Sequence, residues 1–412
     1  MPNLNPYTIR ISQLPNGERL PLLCLDGLPI YETTDWILST LWPEGDATNT
    51  MSAKLRAVGH WFRWVEQRGI CWEERVRTGK FLSQDEIADV QKWMCVPIGI
   101  PSGAKVGKLK VAVGSLAARM IFVGQYLRWV SDRVLHRVQD STHDSLLKGY
   151  ERWVARWKKR TPEVAESKEG GARFGLSPAQ QDLFLRVVHP NCDANPFEKG
   201  MRIRNYAILT LLLEHGLRLA EPLMLQTTDL KFGDREFVVP GRRNNPQDPR
   251  KIIPSPKKGR NLQQGGGRYL RLTSSSMRAL ETWMNEDRRD ERRFPGARKS
   301  PYVFISERGR PLSVRRMHSI FETIRKVFPE LGDSFSPHIL RHTFVEEFIR
   351  NHPSFTPKER QDLCYLLGWS QNSKMPDRYG LPAIKESGGK RTQELSQRRH
   401  ARALESAETE KS

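Results

Sequence analysis

Five side chains in the second half of the sequence could together perform chemistry on a phosphate. They are two arginines, a histidine, a tryptophan and a tyrosine: Arg218, His338, Arg341, Trp369 and Tyr379. A deprotonated phenol can attack phosphorus, and planar guanidinium groups can each hold two non-bridging phosphate oxygens. A histidine can move the phenolic proton. These residue types predict phosphoryl transfer on DNA without a metal ion.

The first arginine lies at a predicted junction between two helices. Gly216 precedes Leu217 and Arg218, and glycine suits the left-handed residue that closes a helix. Such a junction can direct Arg218 into a cavity. The alternative for this arginine alone is a solvated charge near a helix end, which is the more common situation.

The histidine and the second arginine lie near the start of another predicted helix. Ser336 and Pro337 supply an N-cap and a first helical residue. His338, Arg341 and His342 then share one helix face, because they are three and four residues apart. Two histidines at this spacing could also bind zinc, but neither the glutamate of a metalloprotease motif nor a third ligand is evident.

In their order along the chain, these residues resemble the tyrosine recombinase or phage integrase family. Arg218 falls in a Gly-Leu-Arg-x-x-Glu box, and His338 and Arg341 fall in a His-x-Leu-Arg-His box. Trp369 follows Leu-Gly where many members have His, and Tyr379 stands at the nucleophile. The resemblance covers residues from about 177 to 380.

The resemblance implies a role for each residue. Tyr379 would attack the scissile phosphate and form a covalent 3′-phosphotyrosine, while Arg218 and Arg341 would hold the charged oxygens. His338 would act as acid or base on the phenolic proton, and Trp369 would offer its indole N–H to a phosphate oxygen.

The family also places a lysine in a β-hairpin between the first two boxes, where it would protonate the leaving 5′-oxygen. We select Lys257 for this role and keep Lys258 in reserve. The segment 240–268 is longer than the usual short hairpin and contains other basic residues, so the choice stays open.

The composition favours a polyanionic partner. Lys and Arg number 67 against 47 for Asp and Glu, which gives a net charge of +20, and nucleic acid is the first candidate. A basic protein without such a partner is the alternative. Five scattered cysteines favour a reducing cytoplasm over disulfides or structural zinc. No apolar run is long enough for a membrane span, so we expect a soluble intracellular protein.

The pattern along the chain predicts a mainly α fold with a small β-sheet (α+β), in two domains. We expect an N-terminal extension at 1–30, a helical DNA-binding domain at 31–160 that resembles the family's core-binding domain, and a Gly-rich linker at 161–176. A catalytic domain at 177–388 and a charged tail at 389–412 follow.

Periodicity predicts the main elements. Short β-like runs flank Asn16-Gly17 and Asp26-Gly27, and helices are expected around Trp61, Val123, Trp157, Leu183 and Leu211. The aromatic residues of the first domain are interpreted as core residues and not as platforms for base stacking. Strands are predicted at 237–239, 251–253 and 269–272, and the chain is expected to be mostly helical from Ser274 onward.

The sequence therefore predicts a site-specific recombinase or integrase that needs neither metal, cofactor nor ATP, for integration, excision or transposition of a mobile element. Double-stranded DNA is the expected partner, and the resemblance implies assembly with further copies of the chain, as a tetramer on two DNA sites. The expected location is a prokaryotic cytoplasm, associated with the nucleoid. The alternatives are a type IB topoisomerase and a non-catalytic DNA-binding regulator with the same fold.

Overall fold

The chain divides into two compact units, residues Met1–Gly170 and Gly171–Ser412. The computed structural model describes residues 6–16, 18–98, 111–138, 141–163, 174–241, 248–250, 252–254, 267–352 and 355–409. No helix among these residues is both long and apolar enough to cross a membrane. The predicted linker 161–176 contains the division between the units, and the functions assigned to the two domains stay predictions.

The first unit begins with a small antiparallel sheet. Its strands, in the order β1-β2-β3, are β1 (Tyr7–Gln13), β2 (Arg19–Leu25) and β3 (Leu28–Pro29). Tyr7 pairs with Leu25 at one end of the first ladder. Asp26 and Gly27 both have positive φ, at 48° and 91°, which gives the tight turn that the Asp-Gly dipeptide predicts. The predicted β structure of this region is confirmed.

Six α-helices and a π-helical turn, Ile37–Leu41, complete the described part of the first unit. The α-helices are α1 (Tyr31–Trp36), α2 (Thr48–Arg68), α3 (Trp72–Arg77), α4 (Gln84–Met94), α5 (Val113–Leu135) and α6 (His143–Arg160). Trp61 and Trp153 are each 1% exposed and Trp157 is 5% exposed, so these rings belong to the core as predicted. Helix α4 was not expected from periodicity, although Ser83 and Glu86 form a reciprocal capping box at its start.

The second unit is mainly helical around one small sheet. Its helices are α7 (Pro178–Val188), α8 (Lys199–Glu214), α9 (Ala220–Met224), α10 (Ser274–Asn285), α11 (Val314–Val327), α12 (Pro337–Asn351), α13 (Pro357–Leu367) and α14 (Met375–Thr409). Ser177 caps α7 through a box with Gln180, as the Ser-Pro pair predicts. Ser336 is the N-cap residue of α12, but its side chain makes no capping hydrogen bond. Helix α14 includes most of the predicted tail.

The sheet of the second unit has strands β4 (Leu230–Lys231), β5 (Glu236–Val239) and β6 (Arg268–Arg271), all antiparallel in that order. Strands β5 and β6 confirm two of the three predicted runs. The third prediction, at 251–253, is wrong for Ile252 and Ile253, which lie outside any strand, while Lys251 is outside the described residues. Asp248 accepts the backbone N–H of Arg250 at 2.9 Å, a local side-chain bond typical of turns and not of a β-ladder.

The core of the second unit joins the helices to the sheet. Phe184, Leu211, Phe237, Trp283 and Leu340 are fully buried members of one apolar cluster. The fold class, mainly α with small sheets, is confirmed.

Candidate active site

The junction after α8 requires glycine for two separate reasons. Gly216 has φ +56°, which L side chains rarely adopt. A Cβ atom there would also lie 2.7 Å from the ring of Phe344 on α12 and 2.9 Å from the side chain of Leu367 on α13. The end of α8 therefore packs closely against α12 and α13, and it carries Arg218 into the space that they share.

Arg341 lies at the centre of this packing, with 2% of its surface exposed. Its guanidinium donates to the carbonyl oxygen of Gly216 at 2.6 Å and to that of Leu367 at 2.8 Å. These bonds fix the plane of the group without neutralising its charge. Burial and the nearby Arg218 lower the pKa of Arg341 to about 9, while Glu221 raises it, so the group stays positive at neutral pH.

Glu221 is a buried carboxylate shared by two arginines. One oxygen accepts the backbone N–H of Arg218 at 2.7 Å, and the other accepts the Arg218 guanidinium at 3.2 Å. Arg268 on β6 donates to both oxygens, each at 2.9 Å. Burial raises the pKa of Glu221, but Arg268, Arg341 and Arg218 together hold it at about 2. The carboxylate is therefore ionised at every pH at which the protein would work.

Tyr379, near the start of α14, is 4% exposed. Its hydroxyl oxygen lies 3.4 Å from Nε2 of His338, and its ring lies 4.3 Å from the ring of His342 and 5.3 Å from that of Trp369, between centroids. Burial raises the pKa of Tyr379, whereas the charge and hydrogen bond of Arg341 and the charge of Arg218 oppose that rise. The two arginines therefore favour the phenolate that a nucleophilic attack needs.

Trp369 forms a wall of the same site. The guanidinium carbon of Arg341 lies 5.2 Å from the centroid of its ring, which is the distance of a cation–π contact. Gly368, with φ +60°, ends α13 and turns the chain so that the indole faces Arg341 and Tyr379.

The start of α14 is attached to α13 by charge. Arg360 donates to both carboxylate oxygens of Asp377, at 2.6 and 2.8 Å, and to the carbonyl oxygen of Ser373 at 2.8 Å. Asp377 precedes Tyr379 by two residues. This bidentate pair fixes the segment that presents the tyrosine.

The structure brings five of the six predicted residues into one neighbourhood. His338 is exposed, Trp369 and Arg218 are half-buried, and Arg341 and Tyr379 are buried. The sixth, Lys257, and its reserve Lys258 lie outside the described residues. Among the described residues, no group of three or more His, Cys, Asp or Glu side chains is arranged to hold a metal ion.

Sequence reasoning gave no role to two residues of this neighbourhood. Glu221 had a signal, because it follows Arg218 by three residues, the spacing at which a carboxylate reaches back to a backbone N–H. The signal for Arg268 was weak. Burial alternates along β6, so that Arg268 and Leu270 are buried while Tyr269 and Arg271 are exposed. A charged residue on a buried strand face needs a partner.

Comparison with known proteins places this site in a family. Residues 191–380 match the model of the phage integrase family. Tyrosine recombinase XerC of Bacillus pumilus (strain SAFR-032) is 29% identical over 147 residues, which cover 35% of this chain and 41% of that protein. The TnP I resolvase of Bacillus thuringiensis is 30% identical over 146 residues, 35% of this chain and 40% of the resolvase. The chain thus spans about two fifths of these relatives.

A longer match and two solved structures extend the comparison. XerC of Lacticaseibacillus casei (strain BL23) is 24% identical over 55% of this chain and 68% of its own length. The Tn1549 transposon integrase bound to transposon right-end DNA superimposes with a TM-score of 0.46 at 16% identity, over 81% of this chain and 99% of that one. A lambda integrase dimer on a core site gives 0.45 at 13% identity, over 85% and 95%.

All four boxes found in the sequence lie within the residues that match the family model. Residues 191–380 are thus similar to the phage integrase family, and the relatives that match the chain include the tyrosine recombinases XerC and XerD. The resemblance inferred from the four boxes is confirmed.

Proposed function

We propose that this protein is a site-specific DNA recombinase that cuts and rejoins strands through a covalent 3′-phosphotyrosine on Tyr379, for integration, excision or transposition of a mobile element. One observation carries the proposal: the Tyr379 hydroxyl lies 3.4 Å from His338 in a site that also holds Arg341. A nucleophile, a proton acceptor and a phosphate-binding cation thus share one place.

The proposed reaction exchanges one phosphoester for another. The phenolic oxygen of Tyr379 forms a bond to phosphorus as the bond to the 5′-oxygen of DNA breaks. The phenolic proton passes to His338, and the leaving oxygen takes a proton from Lys257, whose role rests on the sequence alone. Arg218 and Arg341 stabilise the charge that grows on the non-bridging oxygens, as a metal clamp would elsewhere.

Energy is conserved in the covalent intermediate, so the proposed cycle uses neither ATP nor a metal ion. Attack by the 5′-hydroxyl of a second strand would reverse the chemistry and release Tyr379. Trp369 would supply an indole N–H to a phosphate oxygen and keep water from the phosphotyrosyl bond.

Double-stranded DNA is the proposed substrate, and a basic cleft in the catalytic unit supports it. The cleft has a volume of about 1240 Å³, and its lining includes one acidic residue, Glu307, beside Arg308, Arg310, Arg315, Arg316 and His318. Such a concentration of cations attracts phosphates. A tetramer on two DNA sites, acting at the bacterial nucleoid, is the proposed working form.

The test is to map covalent adducts in cells. The protein is expressed in bacteria, protein–DNA complexes are isolated under denaturing conditions, and the attached DNA ends are sequenced. We expect 3′-linked ends at discrete sites for the wild type and none for Tyr379→Phe. Tyr365→Phe is the matched control, because Tyr365 is an exposed tyrosine that bonds only the backbone of Tyr269 among the contacts described.

Four outcomes would contradict parts of the proposal. Adducts that persist in Tyr379→Phe would exclude this nucleophile, and a wild type that binds DNA without any adduct would favour the non-catalytic regulator. Relaxation of a supercoiled plasmid without exchange between two mapped sites would favour a topoisomerase. Adducts that disappear on adding EDTA would exclude the metal-independent reaction.

A further inference from the structure

Arg268 is a buried cation that the proposed reaction does not use. It lies on β6 with 4% of its surface exposed, and it forms a fork-to-fork pair with both oxygens of Glu221 at 2.9 Å. A buried arginine is costly unless it is fully paired, and replacement of such pairs by apolar residues is often neutral for stability. Its presence beside the two phosphate-binding arginines therefore calls for a functional explanation.

The same guanidinium also contacts the loop that carries Trp369. Its Nε donates to the carbonyl oxygen of Leu366, at the end of α13, at 2.9 Å. A Cβ on Gly368 would lie 2.9 Å from one of its nitrogens, so the loop passes directly over the group. Arg268 thus joins the sheet, the Arg218 box and the Trp369 loop through one planar side chain.

Glu221 decides what Arg218 can do. The carboxylate already receives the backbone N–H of Arg218 at 2.7 Å and one nitrogen of its guanidinium at 3.2 Å. Arg268 occupies both carboxylate oxygens from the other side. Without Arg268, the carboxylate could form a full bidentate pair with Arg218, and that arginine would then be turned from the phosphate and neutralised.

The charges of the cluster match the chemistry. Three guanidinium groups, of Arg218, Arg268 and Arg341, surround the single carboxylate of Glu221, which leaves two net positive charges. A phosphodiester carries one negative charge, and its five-coordinate transition state carries two. The pair of Arg268 and Glu221 cancels internally, so the other two arginines keep their charge for the transition state.

We propose that Arg268 is a positioning residue for DNA cleavage, which occupies Glu221 so that Arg218 stays available to the scissile phosphate. This inference rests on the proposed function. Arg268 acts through Glu221 and Arg218 and does not itself touch DNA.

The test compares cleavage with binding in Arg268→Gln. A nicked DNA containing a mapped site traps the covalent product, so its single-turnover rate reports the chemical step. We expect this rate to fall by about 10- to 100-fold, the effect of losing one charge-assisted contact at the transition state, while the Kd for the same DNA changes by less than about threefold. Arg288→Gln is the matched control, since Arg288 is a buried arginine that bonds the carbonyls of Ser300 and Tyr302.

The pH profile separates positioning from a general loss of structure. In Arg268→Gln, the strongest influence that opposes burial is lost, so the pKa of Glu221 rises, although Arg341 and Arg218 still lower it. Protonation of Glu221 then releases Arg218. We expect the ratio of variant to wild-type rate to increase as the pH falls from about 8 to about 5.5. Adding Glu221→Gln to Arg268→Gln should recover part of the lost rate at every pH.

A second variant covers the case in which Arg268→Gln unfolds. Arg268→Lys keeps the positive charge beside Glu221 but not the fork, and we expect it to cleave within about tenfold of the wild type, with little pH-dependent recovery. If the wild type cleaves and the variants match it, or the rate ratio is constant with pH, the inference is wrong and the recombinase proposal stands. If the wild type forms no adduct, both are wrong.

Discussion

The two units differ in what their centres bury. The first unit buries tryptophans: Trp36, Trp61, Trp64 and Trp153 are each at most 1% exposed, and the rings of Trp61 and Trp64 stack at 5.1 Å. The second unit has an apolar core too, but beside it lies the carboxylate of Glu221 with two buried guanidinium groups. Burial of rings stabilises a fold directly, whereas burial of charges serves stability only when every charge is matched.

This difference predicts that substitutions in the two centres will have different consequences. Changes in the first should reduce stability and affect cleavage only through DNA binding. A change at Arg218, the most exposed arginine of the second, should reduce cleavage at nearly constant stability.

The largest effect on stability is expected for Trp61→Ala. The lost ring contacts and the cavity left behind should lower the free energy of unfolding by about 3–5 kcal/mol. Urea unfolding followed by far-UV circular dichroism measures the change. Trp129→Ala, at a half-buried ring, is the control and should cost less. A loss below about 1 kcal/mol for Trp61→Ala would contradict a core role for this cluster.

A comparable effect on chemistry, without one on stability, is expected for Arg218→Lys. Lysine keeps the charge but cannot present a fork, so cleavage of nicked DNA should slow by about 100- to 1000-fold. The unfolding free energy should change by less than about 1 kcal/mol, since the side chain is 21% exposed. Arg293→Lys is the control. Arg293 also pairs with carboxylates, those of Asp287 and Asp290, but its side chain is 46% exposed. Equal cleavage rates in Arg218→Lys and Arg293→Lys would contradict a role for Arg218 in cleavage.

The smallest effect is the loss of stability in acid. Both units should lose stability as their buried histidines become protonated, and at lower pH the two units should differ. Burial lowers the pKa of His60 in the first unit and of His215 in the second to about 4. A buried histidine with a lowered pKa resists protonation in the folded state. The fold therefore loses stability as the pH falls below the ordinary histidine pKa. Each histidine should cost about 1.4 kcal/mol at one pH unit below 6.5, and His→Gln at either position should remove that cost.

Further acidification should distinguish the units. Because the pKa of Glu221 is lowered, its ionised carboxylate stabilises the fold above the ordinary glutamate pKa. This stabilisation is lost as the pH falls towards about 2. Only the second unit should lose this contribution. Backbone hydrogen exchange, measured separately for the residues of each unit, measures both phases, and parallel loss of protection in the two units below about pH 4.5 would contradict it.

The sequence predicted the first centre better than the second, for a physical reason. Helical periodicity depends only on which residues are apolar, so Trp61 and Trp157 could be assigned to a core without knowing their partners. The site residues were found because four boxes occur in order. Glu221 and Arg268 are 47 residues apart in sequence, and no local pattern records that they meet.

Two further features have local signals that hydrophobic periodicity does not detect. The turn at Asp248 and Arg250 depends on a side-chain bond to the backbone, which competes with the β-branched run that follows it. Helix α4 is short and begins after Ser83, and its capping box is the signal that periodicity alone overlooks.

The ion pair of Arg360 and Asp377 has a consequence for mixed assemblies. Because it attaches the start of α14 to α13 of the same chain, Tyr379 lies beside Arg341 of its own chain. A subunit with Tyr379→Phe would not be complemented by the tyrosine of a neighbouring subunit. A subunit with an altered Arg341 would not supply its tyrosine to a neighbour. Within the proposed tetramer, each defective subunit would then prevent cleavage of one DNA strand only. The yield of cut strands would be proportional to the fraction of intact chains.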